Sequence, residues 1–204
     1  MENKIPVLFA MPKSVYNTFQ ECDVYDEKRD AYTYPGGAPV IAHPPCRLWS
    51  RMRSFSTAPE SEKQTAWFAL KMVRRYGGVL EHPADSSFWK AAGLPTGYQK
   101  DQYGGFTLVI DQHAFGHRAR KRTWLYIVGV HPRDIPPYPI SWELPKYIVT
   151  TTKRNSTRKE LHTKERNATP TLFAKFLIAI IHEIHRTNYH RHQAKAEAPA
   201  TGAF

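Results

Sequence analysis

The short apolar run Pro39–Ala42 (PVIA) leads directly into His43-Pro44-Pro45-Cys46. Proline has no N–H to give to a ladder of strand hydrogen bonds, so a strand at this point must stop and the chain must leave it as a stiff turn. Cys46 is therefore expected at the end of a strand, on a loop with little freedom to fold away. The remaining segments say what kind of sheet this strand belongs to. Ile5–Phe9 (IPVLF) reads as a first buried strand. Pro59 opens a helix that runs to about Tyr76, with Ala66, Trp67, Ala69, Leu70 and Val73 at helical spacing, and Gly77-Gly78 stop it. Val79-Leu80 reads as a short strand ending on Glu81-His82-Pro83, and a weakly patterned stretch with Phe88 and Trp89 follows. Phe106–Ile110 (FTLVI) and Trp124–Val128 (WLYIV) are strong strand signals joined by the basic segment Asp111–Thr123. Thr169-Pro170 cap a helix predicted from about Thr171 to Ile184, and the tail from Arg186 onward is expected to be disordered.

Strands alternating with helices predict an α/β sheet. In such sheets ligands collect beyond the carboxyl ends of the strands. Cys46 and Glu81 are both expected there, which makes them candidates for one site.

The 204 residues suffice for one domain with its own core, and 41% of them are hydrophobic, which excludes a disordered chain. Lys and Arg number 29 against 18 Asp and Glu, a formal charge of +11. That balance suits a polyanionic partner, through release of counterions from neutralised phosphates, and it equally suits a basic surface that only aids solubility. Two cysteines, Cys22 and Cys46, do not make a disulfide framework. The apolar run of the N-terminus is too short for a signal peptide and no stretch approaches a membrane span, so a cytoplasmic location without membrane attachment is expected.

A thiolate is a good nucleophile where nearby positive charge lowers its pKa, and Arg47, Arg51 and Arg53 are placed in sequence to supply it. A buried structural cysteine is the competing reading. Glu81 shifts the balance, because a cysteine with a carboxylate suits attack on a heteroaromatic ring. The thiolate adds to C6 of a pyrimidine while a protonated Glu, its pKa raised in a desolvated pocket, hydrogen-bonds N3. His182-Glu183-Ile184-His185, with His190 and His192, lacks the His-Glu-x-x-His spacing that sets two histidines one turn apart, so no metal site is expected.

Four segments together resemble the DNA cytosine-5 methyltransferase family. Pro44-Pro45-Cys46-Arg47-Leu48-Trp49-Ser50 resembles its catalytic Pro-Pro-Cys-Gln-x-Phe-Ser loop, and Val79-Leu80-Glu81-His82-Pro83 its Glu-Asn-Val strand. Gly116–Gly129 (GHRARKRTWLYIVG) is similar to its Gln-x-Arg-x-Arg motif and following strand. Asn167–Ala174 (NATPTLFA) resembles the start of its final helix. The four occur in the family's order. The resemblance implies a truncated Rossmann-like methyltransferase fold with a very small target-recognition region, and base flipping on double-stranded DNA. It implies Cys46 as nucleophile with Glu81 as its partner, and Arg118 and Arg120 orienting the flipped base, with the register of the arginines open by one residue. It further implies S-adenosylmethionine held by Phe9, by Asp26 or alternatively Asp23 at the ribose, by Asp30 and by Asn167, and DNA contacts from Ser50 and Arg122. The catalytic domain would comprise residues 1–131 and 166–186, the target-recognition region 132–165, and a disordered tail 187–204.

The departures are as informative. The family's Phe-x-Gly-x-Gly-Gly loop is here Phe9-Ala10-Met11-Pro12-Lys13-Ser14, without a glycine. His43 and Arg47 replace the usual Gly and Gln beside the cysteine, and His82 replaces Asn. The recognition region has room for little beyond a basic loop, so low sequence specificity is expected, with Lys153, Arg154, Arg158, Lys159 and Lys164 on phosphates. The expected activity is transfer of a one-carbon group, methyl by default, to C5 of cytosine. Hydroxymethylation, hypermodification and deamination use the same Cys and Glu. A non-catalytic DNA-binding pseudoenzyme and action on RNA or a nucleotide are the other readings. So compact a variant suits a bacteriophage or prophage, where altered bases evade restriction.

Overall fold

The computed structural model describes residues 4–51, 53–149 and 158–197, with side chains to residue 188. Its centre is a six-stranded sheet. In chain order the elements are β1 (Ile5–Leu8), β2 (Cys22–Val24), β3 (Val40–Ala42), α1 (Lys63–Tyr76), β4 (Gly78–Pro83), α2 (Phe88–Ala91), β5 (Phe106–Asp111) and β6 (Arg122–Val128). There follow β7 (Tyr147–Ile148), β8 (Lys159–Glu160), α3 (Thr163–Asn167) and α4 (Thr171–Glu197). The sheet order is β2-β1-β3-β4-β6-β5. The first four strands are parallel, and β6 runs antiparallel to both neighbours. The chain turns outward from β1 to β2 and then returns to the other side at β3. The boundary between β1 and β3 is therefore a switch point, where strand ends splay and leave a crevice.

Side chains alternate across the sheet and build two cores. On one face Val7, Ile41, Val79, Leu125 and Ile127 meet Phe173, Leu177, Ile180, Ile181 and Ile184 of α4. On the other Leu8, Val40, Leu80, Tyr126 and Val128 meet Ala66, Ala69, Leu70 and Val73 of α1, with Phe88 and Trp89 of α2. The result is a three-layer α/β/α sandwich. The α1 stripe is as expected except at Trp67, which lies at its edge and stays 37% exposed. Among the described residues no helix is long and apolar enough to cross a membrane.

Three elements differ from the sequence reading. β2 carries no strong apolar run and is held as an edge strand by backbone pairing with β1, from Ile5 with Cys22 to Val7 with Val24. β4 ends on Pro83 as expected but begins a residue early, at Gly78, and it changes partner on the way: pairing with β3 ends at Leu80, and β6 continues the ladder to Pro83. α4 continues to Glu197, past the end expected near Ile184, because residues 186–197 contain no Gly or Pro and are rich in helix formers such as Ala, Lys, Gln and Arg. Residues 198–204 lie outside the described residues.

The α1–β4 junction shows how closely the layers are set. Gly78 has φ +128°, and a Cβ there would sit 2.1 Å from the Val40 carbonyl oxygen, inside the β3–β4 ladder. Gly78→Ala is expected to destabilise the fold by about 2 kcal/mol or more, through strain plus displacement of β3. Urea unfolding of the two proteins would measure it, and an unchanged midpoint would contradict this register.

Candidate functional site

The Cys46 loop leaves β3 through His43, whose backbone N–H donates to the Leu8 carbonyl of β1 at 3.0 Å. The two prolines carry the chain to Cys46, and the N–H groups of Trp49 and Ser50 donate back to the Cys46 carbonyl at 3.0 and 2.9 Å. Trp49 anchors the turn from below. Its ring is 8% exposed and packs against Phe88 at 5.1 Å, and its carbonyl accepts from the Ser87 N–H at 2.9 Å. Cys46 is thus fixed at its strand end, partly buried.

Glu81 sits on the next strand, on the α4 face, among polar groups that form a continuous chain. His43 Nδ1 meets Glu81 Oε2 at 3.1 Å, and His43 Nε2 meets the hydroxyl of the buried Tyr16 at 3.1 Å. On the other side Gln112 Nε2 donates to Glu81 Oε1 at 3.2 Å and to Thr123 Oγ1 at 2.9 Å. Gln112 Oε1 is buried without a partner, at a cost of about 1–3 kcal/mol. An orphaned acceptor beside a braced carboxylate marks a place not built for stability alone.

Electrostatics corrects the sequence expectation for both central residues. Burial by itself would push the Glu81 carboxyl up, but the hydrogen bond from His43 and then the charge of Lys121 outweigh it and hold the carboxyl down to about 2. Glu81 is therefore a carboxylate at neutral pH, not the protonated donor expected from the sequence. The Cys46 thiol moves the other way. Burial, then the Glu81 charge, push it up, and Lys121 pulls against them. Of the arginines expected to activate it, Arg47 interacts with the Cys46 charge, yet all three make their direct contacts elsewhere. Arg47 Nε donates to Glu62 at 3.0 Å, Arg51 lies 3.8 Å from Asp85, and Arg53 reaches the Ser50 carbonyl at 3.4 Å.

Lys121 is the residue the sequence reading missed. Residues 117 to 123 alternate: His117, Ala119 and Thr123 are buried, whereas Arg118, Arg120 and Arg122 are exposed. Lys121 falls on the inner side of that alternation and acts on Cys46 and Glu81 together. The one-residue uncertainty in the arginine register contained this outcome, but charge at three arginines is a louder signal than one lysine between them. The arginines have surface partners: Arg118 pairs with Glu165 and lies over the Tyr147 ring at 4.2 Å, Arg120 meets Asp111 at 2.7 Å, and Arg122 meets Asp85 at 3.3 Å. Because Asp85 also faces Arg51, Arg122 is linked to the Cys46 loop through it.

His82, on the α1 face of β4, is fully buried against Phe88 and Trp89 at 5.5 and 6.3 Å. Burial pushes its pKa down to about 4, so it is neutral. The Pro45 carbonyl acts on the ring without reaching hydrogen-bond geometry.

The residues expected to hold a cofactor are not gathered into a cradle. Phe9, at the end of β1, has φ +58°, so the sharp turn that glycine would make is made by a strained phenylalanine. Its ring meets Tyr32 at 5.9 Å and Phe68 at 6.1 Å. Asp26 Oδ1 accepts from the N–H groups of Lys28 and Arg29, at 2.8 and 3.3 Å, and Asp30 Oδ1 accepts from the Tyr32 N–H at 2.9 Å. Both carboxylates close local turns. Asn167 is exposed at the end of α3. These residues do not fit S-adenosylmethionine in the manner of a glycine-rich loop. Of the expected DNA contacts, Ser50 donates to the Arg47 carbonyl at 3.3 Å, Arg158 donates to the Pro145 carbonyl at 3.2 Å, and Lys159 lies exposed in β8. Lys164 is exposed in α3. Lys153 and Arg154 lie outside the described residues. His182 meets Glu21 at 2.9 Å and Glu183 pairs with Arg186; the side chains of His190 and His192 are also outside the described residues.

Comparison with protein-family models, with curated proteins and with solved structures finds no match to this chain. The sheet order and its flanking helices define it as a mixed α/β protein.

Two outcomes follow from this electrostatics. Alkylation of Cys46 by iodoacetamide should rise only above the pH range of an ordinary cysteine, yet precede that of Cys22, whose thiol burial pushes up to about 11. Lys121→Met should shift the Cys46 profile to still higher pH; peptide mass spectrometry across pH resolves the two sites.

The second outcome is acid sensitivity in two steps. His82 takes its proton near pH 6.5 when unfolded and only near 4 when folded, so stability falls across that window. Glu81 is protonated near 4.5 unfolded and near 2 folded, so its contribution is complete above 4.5 and lost as pH falls towards 2. Glu81→Gln should lower stability at pH 7 by on the order of 3 kcal/mol and abolish the lower step, read from melting temperature against pH.

Proposed function

We propose that the protein is a DNA cytosine-C5 modifying enzyme, with Cys46 as its nucleophile. The observation that carries the reading is the placement of a loop-fixed cysteine beyond the end of β3 and a braced carboxylate on neighbouring β4, just past its last residue paired with β3, with the charge of one lysine acting on both. A sheet of order β2-β1-β3-β4 with an antiparallel strand beyond it is compatible with the Rossmann-like methyltransferase fold that the four motifs imply.

In this reading a flipped cytosine meets Cys46 at C6. The Sγ–C6 bond forms, the C5–C6 double bond opens, and C5 becomes the nucleophilic carbon. C5 then attacks the one-carbon group of an electrophilic donor, whose leaving group departs with the pair of the bond broken; a base takes the C5 proton, and its electron pair re-forms the C5–C6 double bond as the thiolate is expelled. Glu81 accepts a hydrogen bond from the 4-amino group, the role that suits an ionised carboxylate. His43 and Gln112 hold it in place, and Lys121 favours the thiolate and opposes the negative charge that addition builds on the ring. Methyl is the default group. With a strained phenylalanine and an aromatic cluster where glycines would admit S-adenosylmethionine, no step here is assigned to that cofactor. The same cluster is what favours a second reading, a DNA-binding protein without catalysis. DNA is the partner best matched to the +11 charge, with bacteriophage or prophage base modification as the setting.

Nucleoside mass spectrometry of DNA from cells expressing the protein separates the two. A mass shift on deoxycytidine is expected, retained in Cys22→Ala and lost in Cys46→Ala. A shift that persists in Cys46→Ala would overturn the nucleophile, and no shift with the intact protein would leave the non-catalytic reading standing.

A further inference from the structure

On the α1 side of the sheet a cavity of about 340 Å³ opens between α1 and the loop before β5. Trp67, Leu70, Lys71, Arg74, Arg75 and Tyr103 line it. Four of these, Trp67, Lys71, Arg74 and Arg75, recur at i, i+4, i+7 and i+8, so they form one stripe on the exposed side of the helix.

The opposite wall is rigidly built. Asp101 Oδ1 accepts from the N–H groups of Tyr103 and Gly105, both at 2.9 Å, and Asp101 Oδ2 accepts from the Tyr126 hydroxyl at 2.7 Å. Arg74 pairs with the same carboxylate at 3.5 Å and lies over the Tyr103 ring at 4.3 Å. Asp101 is thereby balanced by Arg74, and among the described residues neither Lys71 nor Arg75 meets a carboxylate. The cavity is left with two cations that no carboxylate pairs, Arg75 lying over the Tyr76 ring at 5.3 Å, with two part-exposed aromatic residues 37% and 45% accessible, and no acidic lining residue.

We infer that this cavity is a binding site for one nucleotide unit of a single-stranded nucleic acid. A base stacks on Trp67 or Tyr103, and Lys71 and Arg75 hold the adjoining phosphates. Rings with a basic track are the chemistry that single-strand binders use, since every base offers a π-face and every linkage a charge. The cavity also adjoins the Cys46 loop, because Trp67 packs edge-on against Trp49 at 6.3 Å, three residues beyond Cys46. The site goes beyond the proposed cytosine chemistry and does not require it.

The test uses the full chain carrying Cys46→Ala, so that failure of the chemistry and failure of this site are read separately. An eight-residue oligodeoxynucleotide with 5-bromouracil is irradiated on the protein and the cross-linked peptide is mapped. Cross-links at Trp67 or Tyr103 are expected. Lys71→Ala/Arg75→Ala should weaken anisotropy-measured binding about tenfold and make its salt dependence shallower by one to two phosphate contacts. Trp67→Ala should weaken it on the order of tenfold through lost stacking. Cross-links confined to other residues, or an affinity and salt slope unchanged in the double variant, would overturn the assignment. So would an acidic peptide of equal charge that competes as well as the oligonucleotide, which would make the occupant a protein.

Discussion

The buried charge of Glu81 is the constraint around which this end of the molecule is arranged. A carboxylate on the α4 face, beside a core of Val79, Ile41 and Leu125, would cost several kcal/mol if left alone. It is tolerated because His43 bonds to it from the end of β3 and Gln112 from the turn after β5, while the charge of Lys121, in the lead into β6, acts on it. Each of these is also an endpoint of a loop that could otherwise drift. His43 fixes the start of the Cys46 loop, and Gln112 ties β5 to Thr123 at the start of β6. Neutralising one carboxylate thereby sets the relative positions of three strand ends.

That arrangement places Cys46 under opposing influences. The carboxylate that organises the site raises the thiol, and Lys121 lowers it. The resting cysteine is accordingly a protected thiol rather than a permanently reactive one. Charge that arrives or is neutralised with a bound ligand would tip the balance, since Glu81 engaged by a donor exerts less repulsion on Sγ. The exposed Arg118, Arg120 and Arg122 form surface ion pairs and brace loops, as Arg122 does through Asp85.

The two faces of the sheet divide the labour. The α4 face carries the polar chain from Tyr16 to Thr123, whereas the α1 face is aromatic, with Trp49, Trp67 and Phe88 packed edge-on where the Cys46 loop meets α1 and Trp89 beside His82 and Trp124. His82 and Glu81, neighbours in sequence, fall on opposite faces and have opposite environments: one ring buried neutral among aromatics, one carboxylate buried charged among partners.

The sequence by itself determined the elements that depend on local rules. The proline pair stops β3 and presents Cys46, the spacing of Ala66, Ala69, Leu70 and Val73 makes α1, and the apolar runs make β1, β5 and β6. It also put Cys46 and Glu81 near the same sheet edge, because strand ends in an α/β sheet converge. Only the tertiary structure decided what depends on partners distant in the chain. β2 is a strand because β1 offers it a ladder, and β4 passes from β3 to β6 as its partner after Leu80. Glu81 is ionised because His43, 38 residues away, bonds to it and the charge of Lys121 acts on it, where burial alone would have kept it protonated. From this segment it is the charge of Lys121 that acts on the cysteine, because the alternation of an extended chain sends Arg118, Arg120 and Arg122 to solvent. A pKa belongs to an environment, and the environment is assembled by the fold.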